Sequence, residues 1–327
     1  MSSSRLSLDR IARAAREIDP VFLHSPQFRA ESLGEGLDVD LVVKVETVNP
    51  IRSFKGRGAD CFVRELTDTA QPLVCASAGN FGQGLAYAAR RRGITLDVFA
   101  SVRANPLKIA RMRALGATVT QAGDDFDAAK DAARAYASAA GALYVEDGSA
   151  PAISEGAGSI GLELLEWKNG FDILVVPLGN GALLGGVATW VRAHAREVRI
   201  VAVCAEGAPA MERSWREGRV IETERADTIS DGIAVRIPIA EALHDLAGVL
   251  DDVLLVDDLT TIDAMRRIFS HLGLVVEPAG AVGLAALITH REQFVGRRVA
   301  TILCGGNLTP TQFSDFALTG ATREDVG

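Results

Sequence analysis

The sequence predicts an α/β protein, with parallel-rich twisted sheets flanked by helices. Uniformly apolar runs of five to eight residues recur along the chain, the pattern of strands buried on both faces. Between these runs lie helical patterns stopped by glycine, and such strand–helix alternation builds parallel sheets. Glycine clusters also sit where apolar runs end, which is where open α/β sheets bind ligands.

Each element follows in order. The start, MSSSRLSLDRIARAAREID, is a short polar tail and a charged helical pattern, without the apolar stretch of a secretion signal. LVVKV (41–45) is the first strand, and NPIRSFKGRGAD (49–60) follows it. Glycines beside Lys55 weaken a helix starting there by ~1 kcal/mol each against alanine. Phe54 is expected to press apolar surface on the lysine stem, and burial disfavours an ammonium, which makes a lysine a usable nucleophile toward a carbonyl. On this stretch alone a solvated lysine at a loop–helix junction stays open. PLVCAS (72–77) is a strand whose end, SAGNFGQG, opens the helix LAYAARRRG. LDVFAS (96–101) and ATVTQ (117–121) are strands around the helix ANPLKIARMRALG, and DDFDAAKDAARAYASAAG is a further helix. Near residue 150 the small-residue loop DGSAPA breaks the alternation and marks a boundary. AGSIG (157–161) lacks the first glycine and the preceding strand of a nucleophile elbow, so Ser159 reads as helix surface. DILVVPL (172–178) ends in PLGNGALLGG, which opens the helix VATWVRAHA; VRIVAVCA (198–205), DDVLLV (251–256) and RRVATILC (297–304) complete the strands.

Composition bounds the function. At 327 residues the chain allows about two domains, and a net charge of −8 argues against nucleic acid. No apolar run reaches the ~20 residues of a membrane span. Cys61, Cys75, Cys204 and Cys304 are scattered, without the spacing of a disulfide framework or cysteine zinc site. The expected setting is cytoplasmic, with no membrane partner. The five histidines show no H-E-x-x-H spacing. GNGALLGG fails the dinucleotide fingerprint because Leu184 holds its sixth place, and no G-K-[ST] follows a glycine loop. A single phosphate at a glycine loop and a carbonyl for Lys55 remain, and pyridoxal 5′-phosphate supplies both.

With these motifs placed, the chain resembles the fold-type II pyridoxal-phosphate enzymes, specifically the threonine/serine dehydratase and serine racemase group, from about Leu41 to Asn307. SFKGRGA, SAGN, GNGA, DGIAV (231–235), EPAGA (277–281) and CGGN occur in the order of that group. The resemblance implies a two-domain, tryptophan synthase β-like fold, with residues 1–65 and 150–327 as a large cofactor domain and 66–149 as a small substrate-side domain. It implies Lys55 as the Schiff-base lysine and catalytic base, Phe54 beside the ring, and Asn80 at the cofactor's 3′-oxygen. It makes Gly179, Asn180, Gly181, Ala182 and Leu183 the phosphate cradle, places Glu277 near the ring, and sets Cys304 opposite the pyridine nitrogen. Substrate would meet Ser77, Ala78, Gly79, Asn80 and Phe81. AEGAPAME resembles the cation site of serine racemase-like members, which would use Glu206, the Ala210 carbonyl and Glu212 for Mg²⁺ or another cation; two solvated glutamates are the alternative.

The activity implied is an ammonia-lyase dehydrating L-threonine and/or L-serine to a 2-oxo acid and ammonia, in a homodimer. β-Replacement, or lyase action on another β-substituted amino acid, is the alternative within enzymes; a non-catalytic ligand-binding protein is a third, which a buried amine argues against. Several positions depart from the group: Asn180 and Ala182 replace cradle glycines, V-E-D-G (145–148) replaces P-P-F-D, and G-A-G (156–158) replaces G-Q-G. Phe81 stands where histidine is frequent, and Arg52 where glycine is common, facing either an anion or solvent. Ala78 stands where the racemases place a serine proton donor. Only about twenty residues lie beyond CGGN, so no appended regulatory domain is expected.

Overall fold

A computed structural model describes residues 5–318. Among the described residues ten strands form two sheets: β1 (Gln27–Arg29), β2 (Asp40–Val45), β3 (Leu73–Ala76), β4 (Leu96–Ala100), β5 (Thr118–Gln121), β6 (Leu143–Tyr144), β7 (Ile173–Pro177), β8 (Arg199–Ala205), β9 (Asp252–Val256) and β10 (Arg298–Leu303). The larger sheet has the order β1-β2-β10-β7-β8-β9 and the smaller β5-β4-β3-β6. Every pairing is parallel except β1 with β2. The eight apolar runs of the sequence are all strands. The two it does not show are β1 and β6, whose three and two residues are too short for a periodic signal.

The large sheet is covered on both faces, and alternate side chains divide between them. Leu41, Val43, Val175, Val203 and Leu303 meet helices Asp258–Leu272 and Pro278–Thr289 through Met265, Ile268, Val282 and Leu287. Val42, Leu174, Ala202 and Ile302 point the other way, onto Ile160, Leu164, Leu184 and Val187 of helices Pro151–Leu165 and Ala182–His194. The small sheet repeats this layering. Cys75 and Val98 pack on Leu85 and Met112, while Val74 and Phe99 pack on Ala133 and Ala137. Asn105 and Asp125 cap two of its helices, Pro106–Ala114 and Phe126–Ala140, by accepting backbone N–H bonds, as their residue types favour.

Helix Lys55–Glu65 does form, despite its two glycines, because close packing requires them. A Cβ on Gly58 would lie 2.4 Å from the Ile153 carbonyl oxygen, so the helix lies backbone to backbone on helix Pro151–Leu165. Beneath this contact sits a buried cluster of ions. The Arg57 guanidinium, 0% exposed, donates to Glu46 at 2.8 and 3.0 Å, to Glu163 at 2.6 and 2.9 Å, and to Ser159 Oγ at 3.0 Å. Lys44, facing inward from β2, reaches Glu163 at 2.5 Å and the Ser25 carbonyl at 2.7 Å. Two cations balance two anions, so the charges are matched where water is excluded. Ser159, expected on a helix surface, is instead fully buried: it accepts from Arg57 and donates to the Gly156 carbonyl at 2.7 Å. Its hydroxyl is a spacer in this network, a position that depends on residues about a hundred places away.

Burial alone would raise the Glu163 carboxyl, but the Arg57 and Lys44 bonds overcome it and hold the group down at about 2. A carboxylate depressed below its ordinary 4.5 contributes stability that is full above that pH and is lost as pH falls toward 2. Glu163→Gln should therefore destabilise the fold by ~3–5 kcal/mol at pH 7, because it strands buried cations. It should also flatten the loss of stability between pH 4.5 and 2. Urea unfolding of both proteins across this pH range measures both effects; a variant as stable as the parent at pH 7 would contradict the assignment.

Candidate active site

The loops that carry the motifs follow the carboxyl ends of β2, β3, β6, β7 and β10 and meet between the two sheets. Lys55 is the first residue of its helix, with Phe54 at the N-cap. Its Nζ lies 4.5 Å from the Phe54 ring centroid, and its side chain is 14% exposed. The backbone before it is stitched to the CGGN loop: Phe54 N–H donates to the Cys304 carbonyl at 3.0 Å, and Gly306 N–H to the Arg52 carbonyl at 2.9 Å. Arg52 adopts φ +52°, a left-handed conformation uncommon outside glycine, and its side chain is exposed. The amine is not solvated as the plainer sequence reading allowed. It makes an ion pair of 2.5 Å with Asp147, a residue the sequence reading did not single out.

The SAGN loop leads into helix Asn80–Arg91. Ser77 is buried, and its hydroxyl accepts from the N–H groups of Gly79 at 3.1 Å and Gly82 at 2.9 Å, so it holds the turn. Asn80 is held from both ends: its amide donates to Glu277 Oε1, and its carbonyl oxygen accepts from Asn307 at 2.8 Å. Ala78, Gly79 and Asn80 line the half-exposed turn, whereas Phe81 points away into the small-sheet core beside Leu85.

Glu277 is 1% exposed, and Lys108 stands 3.5 Å from its Oε2. Lys108 also pairs with Asp231 of the DGIAV segment at 2.6 Å. Burial pushes the Glu277 carboxyl above its ordinary range, against the pull of Lys108. Burial would lower the Lys108 ammonium, and the two carboxylates override it to hold the group above its ordinary value. Sequence reasoning missed Lys108 because nothing local distinguishes it from the other basic residues of an amphipathic helix.

The GNGA loop ends at Gly181, whose φ of +87° turns the chain into helix Ala182–His194. No side chain caps this helix. Its first N–H groups therefore lack intrahelical partners and face the loop, the arrangement that suits a phosphate. Cys304 is buried, with its Sγ 3.5 Å from the Ala279 carbonyl, and burial pushes its thiol up, so the side chain is neutral. The residues present fit pyridoxal phosphate. An uncapped helix end offers N–H donors to the phosphate, Lys55 offers an amine, Cys304 a neutral polar atom, and Glu277 Oε2 is a buried oxygen without a hydrogen bond.

The cation expectation gains no such fit. Glu206 is exposed, Glu212 pairs with Arg216, and the Ala210 carbonyl accepts from Ser214 Oγ at 2.7 Å. Among the described residues no group of three or more His, Cys, Asp or Glu side chains gathers to hold a metal. Nor is any described helix long and apolar enough to cross a membrane.

The model of the family described as "Pyridoxal-phosphate dependent enzyme" matches residues 18–305. L-threonine ammonia-lyase of Thermotoga maritima is 32% identical over 93% of this chain and 76% of its own length. Among solved structures, a threonine deaminase from T.th. superimposes with TM-score 0.87 at 31% identity, covering 93% of this chain and 99% of that one. Maize serine racemase superimposes with TM-score 0.89 at 26% identity, over 95% and 96% of the two chains. With the family model matching residues 18–305 and a 32% identical relative aligned over 93% of this chain, the chain belongs to the pyridoxal-phosphate dependent enzymes.

Proposed function

We propose that this enzyme is an amino-acid ammonia-lyase that dehydrates L-threonine and/or L-serine, releasing a 2-oxo acid and ammonia. The observation that carries the reading is a largely buried amine at a helix start, in one structure with an uncapped helix N-terminus that follows a glycine loop. Likeness to threonine ammonia-lyases over nine-tenths of the chain supports it. On this reading residues 66–149 form the substrate-side domain, and 1–65 with 150–327 hold the cofactor. Pyridoxal phosphate, when bound, supplies a carbonyl that captures amines and a ring that accepts the electron pair released at Cα.

The chain's own residues do the rest. The Lys55 amine removes the Cα proton as general base, and its place at the start of a buried helix keeps it within reach. Gly179, Asn180, Gly181, Ala182 and Leu183 hold the phosphate through backbone N–H groups, so the side chains at 180 and 182 cost nothing there. Phe54 supports the ring, and Asn80, locked between Glu277 and Asn307, presents its amide at a fixed angle. Cys304 meets the ring nitrogen as a neutral partner, since burial keeps its thiol protonated. The backbone N–H groups of Ala78 and Asn80 receive the substrate carboxylate, since those of Ser77 and Gly79 already donate to the Phe99 carbonyl and the Ser77 hydroxyl.

Three outcomes test these assignments. Lys55→Ala should lower kcat by at least ~10²–10⁴-fold and abolish the covalent cofactor adduct that borohydride forms in the parent. A variant turning over at the parental rate would refute the lysine assignment. Cys304→Ser should stay active because a neutral polar atom is kept, whereas Cys304→Asp should change the ratio of products; identical ratios in parent and aspartate variant would remove Cys304 from the site. Because Ala78 has no proton to deliver, racemisation should be a trace beside elimination, and Ala78→Ser should raise it. Chiral chromatography showing the parent making D-amino acid as fast as 2-oxo acid would contradict that role.

A further inference from the structure

The small sheet brings to Lys55 a carboxylate whose placement is built rather than incidental. Asp147 stands three residues beyond β6, in the turn that returns the chain to the large sheet. The next residue, Gly148, has φ +90°, and a Cβ there would lie 2.3 Å from the Asn180 carbonyl oxygen. The turn is thus seated directly on the cradle loop, with Asp147 between that loop and Lys55. Its Oδ2 is 2.5 Å from Lys55 Nζ, and its side chain is 13% exposed. Its Oδ1 is buried and has no hydrogen-bond partner among the described residues. A buried carboxylate oxygen left unpaired costs free energy, and such an atom at a ligand site marks a group with work to do.

Neighbouring carboxylates face cations other than Lys55. Glu146 pairs with Lys130 at 2.6 Å and Arg134 at 2.9 Å. Glu277 accepts from Asn80 at Oε1 and has the Lys108 ammonium 3.5 Å from Oε2. Asp147 is the carboxylate in contact with the Lys55 amine.

We propose that Asp147 is the second acid–base group of the reaction, taking over the proton that Lys55 removes from the substrate's Cα and giving it to the departing β-hydroxyl. The inference rests on the dehydratase reading above. The step balances. The Cα–H bond breaks and its proton goes to the Lys55 amine, which becomes ammonium; that proton passes over the 2.5 Å contact to Asp147, which becomes a neutral acid. The neutral acid protonates the β-oxygen as the Cβ–O bond breaks, and the pair left at Cα forms the carbon–carbon double bond. Water leaves, Lys55 is again a free amine and Asp147 again a carboxylate.

The test uses the cofactor-loaded parent, Asp147→Asn and Asp147→Glu with two kinds of substrate. Hydroxide needs a proton to leave, whereas chloride does not. With L-threonine or L-serine, Asp147→Asn should lose ~10²-fold or more in kcat, the scale of a general acid. With 3-chloro-L-alanine it should stay within about ten-fold of the parent, which also shows that the variant is folded and loaded. Asp147→Glu should recover part of the loss. Equal losses on both substrate types, or no loss on the hydroxy amino acids, would overturn the proposal while leaving the ammonia-lyase reading intact. A second readout needs no turnover. Removing the carboxylate should lower the pH midpoint of the bound cofactor's visible absorption by about one pH unit or more, and an unmoved midpoint would equally overturn the proposal. A parent that acts on 3-chloro-L-alanine but on neither hydroxy amino acid would overturn the dehydratase reading and this step with it.

Discussion

The buried guanidinium of Arg57 is the contact on which the site depends. It sits two residues beyond Lys55 and ties that helix to β2's end through Glu46 and to helix Pro151–Leu165 through Glu163 and Ser159. A purely apolar seat would let a short, glycine-bearing helix slide or rotate, since dispersion contacts are non-directional. Five N–H donors in a rigid plane permit one orientation. The desolvation of four charges is a cost the fold carries, so the cluster is better understood as fixing geometry than as supplying net stability. The lysine's direction follows from it, because the two side chains leave one rigid helix two residues apart, about 200° around its axis.

From that anchor the rest of the site is a matter of loops converging. Glu277 and Lys108 hold the SAGN turn against the EPAGA segment, and Asn307 clamps Asn80 while reaching the Ile51 carbonyl at 2.8 Å. The cofactor ring would therefore lie among groups whose hydrogen bonds are already arranged, which is what electrostatic preorganisation requires. The same low-polarity setting keeps the Cys304 thiol neutral.

The fold was legible in the sequence wherever burial made runs uniformly apolar, and the glycine loops were legible because only strand ends demand them. What could not be read were pairings across long stretches of chain. Ser159 looked like helix surface, because its partner Arg57 lies about a hundred residues distant. Asp147 lay inside V-E-D-G, a segment readable only as a departure until β6, itself two residues long, set it beside Lys55. Phe81 was expected near substrate by its neighbourhood in the motif, yet helix geometry turns it into the small-sheet core.

Strand order also governs how such a chain can be assembled. The small sheet is drawn from one continuous stretch, residues 73–144, and can form as soon as that stretch is made. The large sheet cannot. Its strand β10 lies between β2 and β7, pairing Leu303 with Val45 across some 250 residues. As the chain leaves the ribosome, β2 therefore waits, with one edge unpaired, until β10, the last described strand, emerges. Open apolar edges of this kind are where neighbouring chains join by mistake. The order of the large sheet thus leaves its first central strand to be shielded longer than any strand of the small sheet.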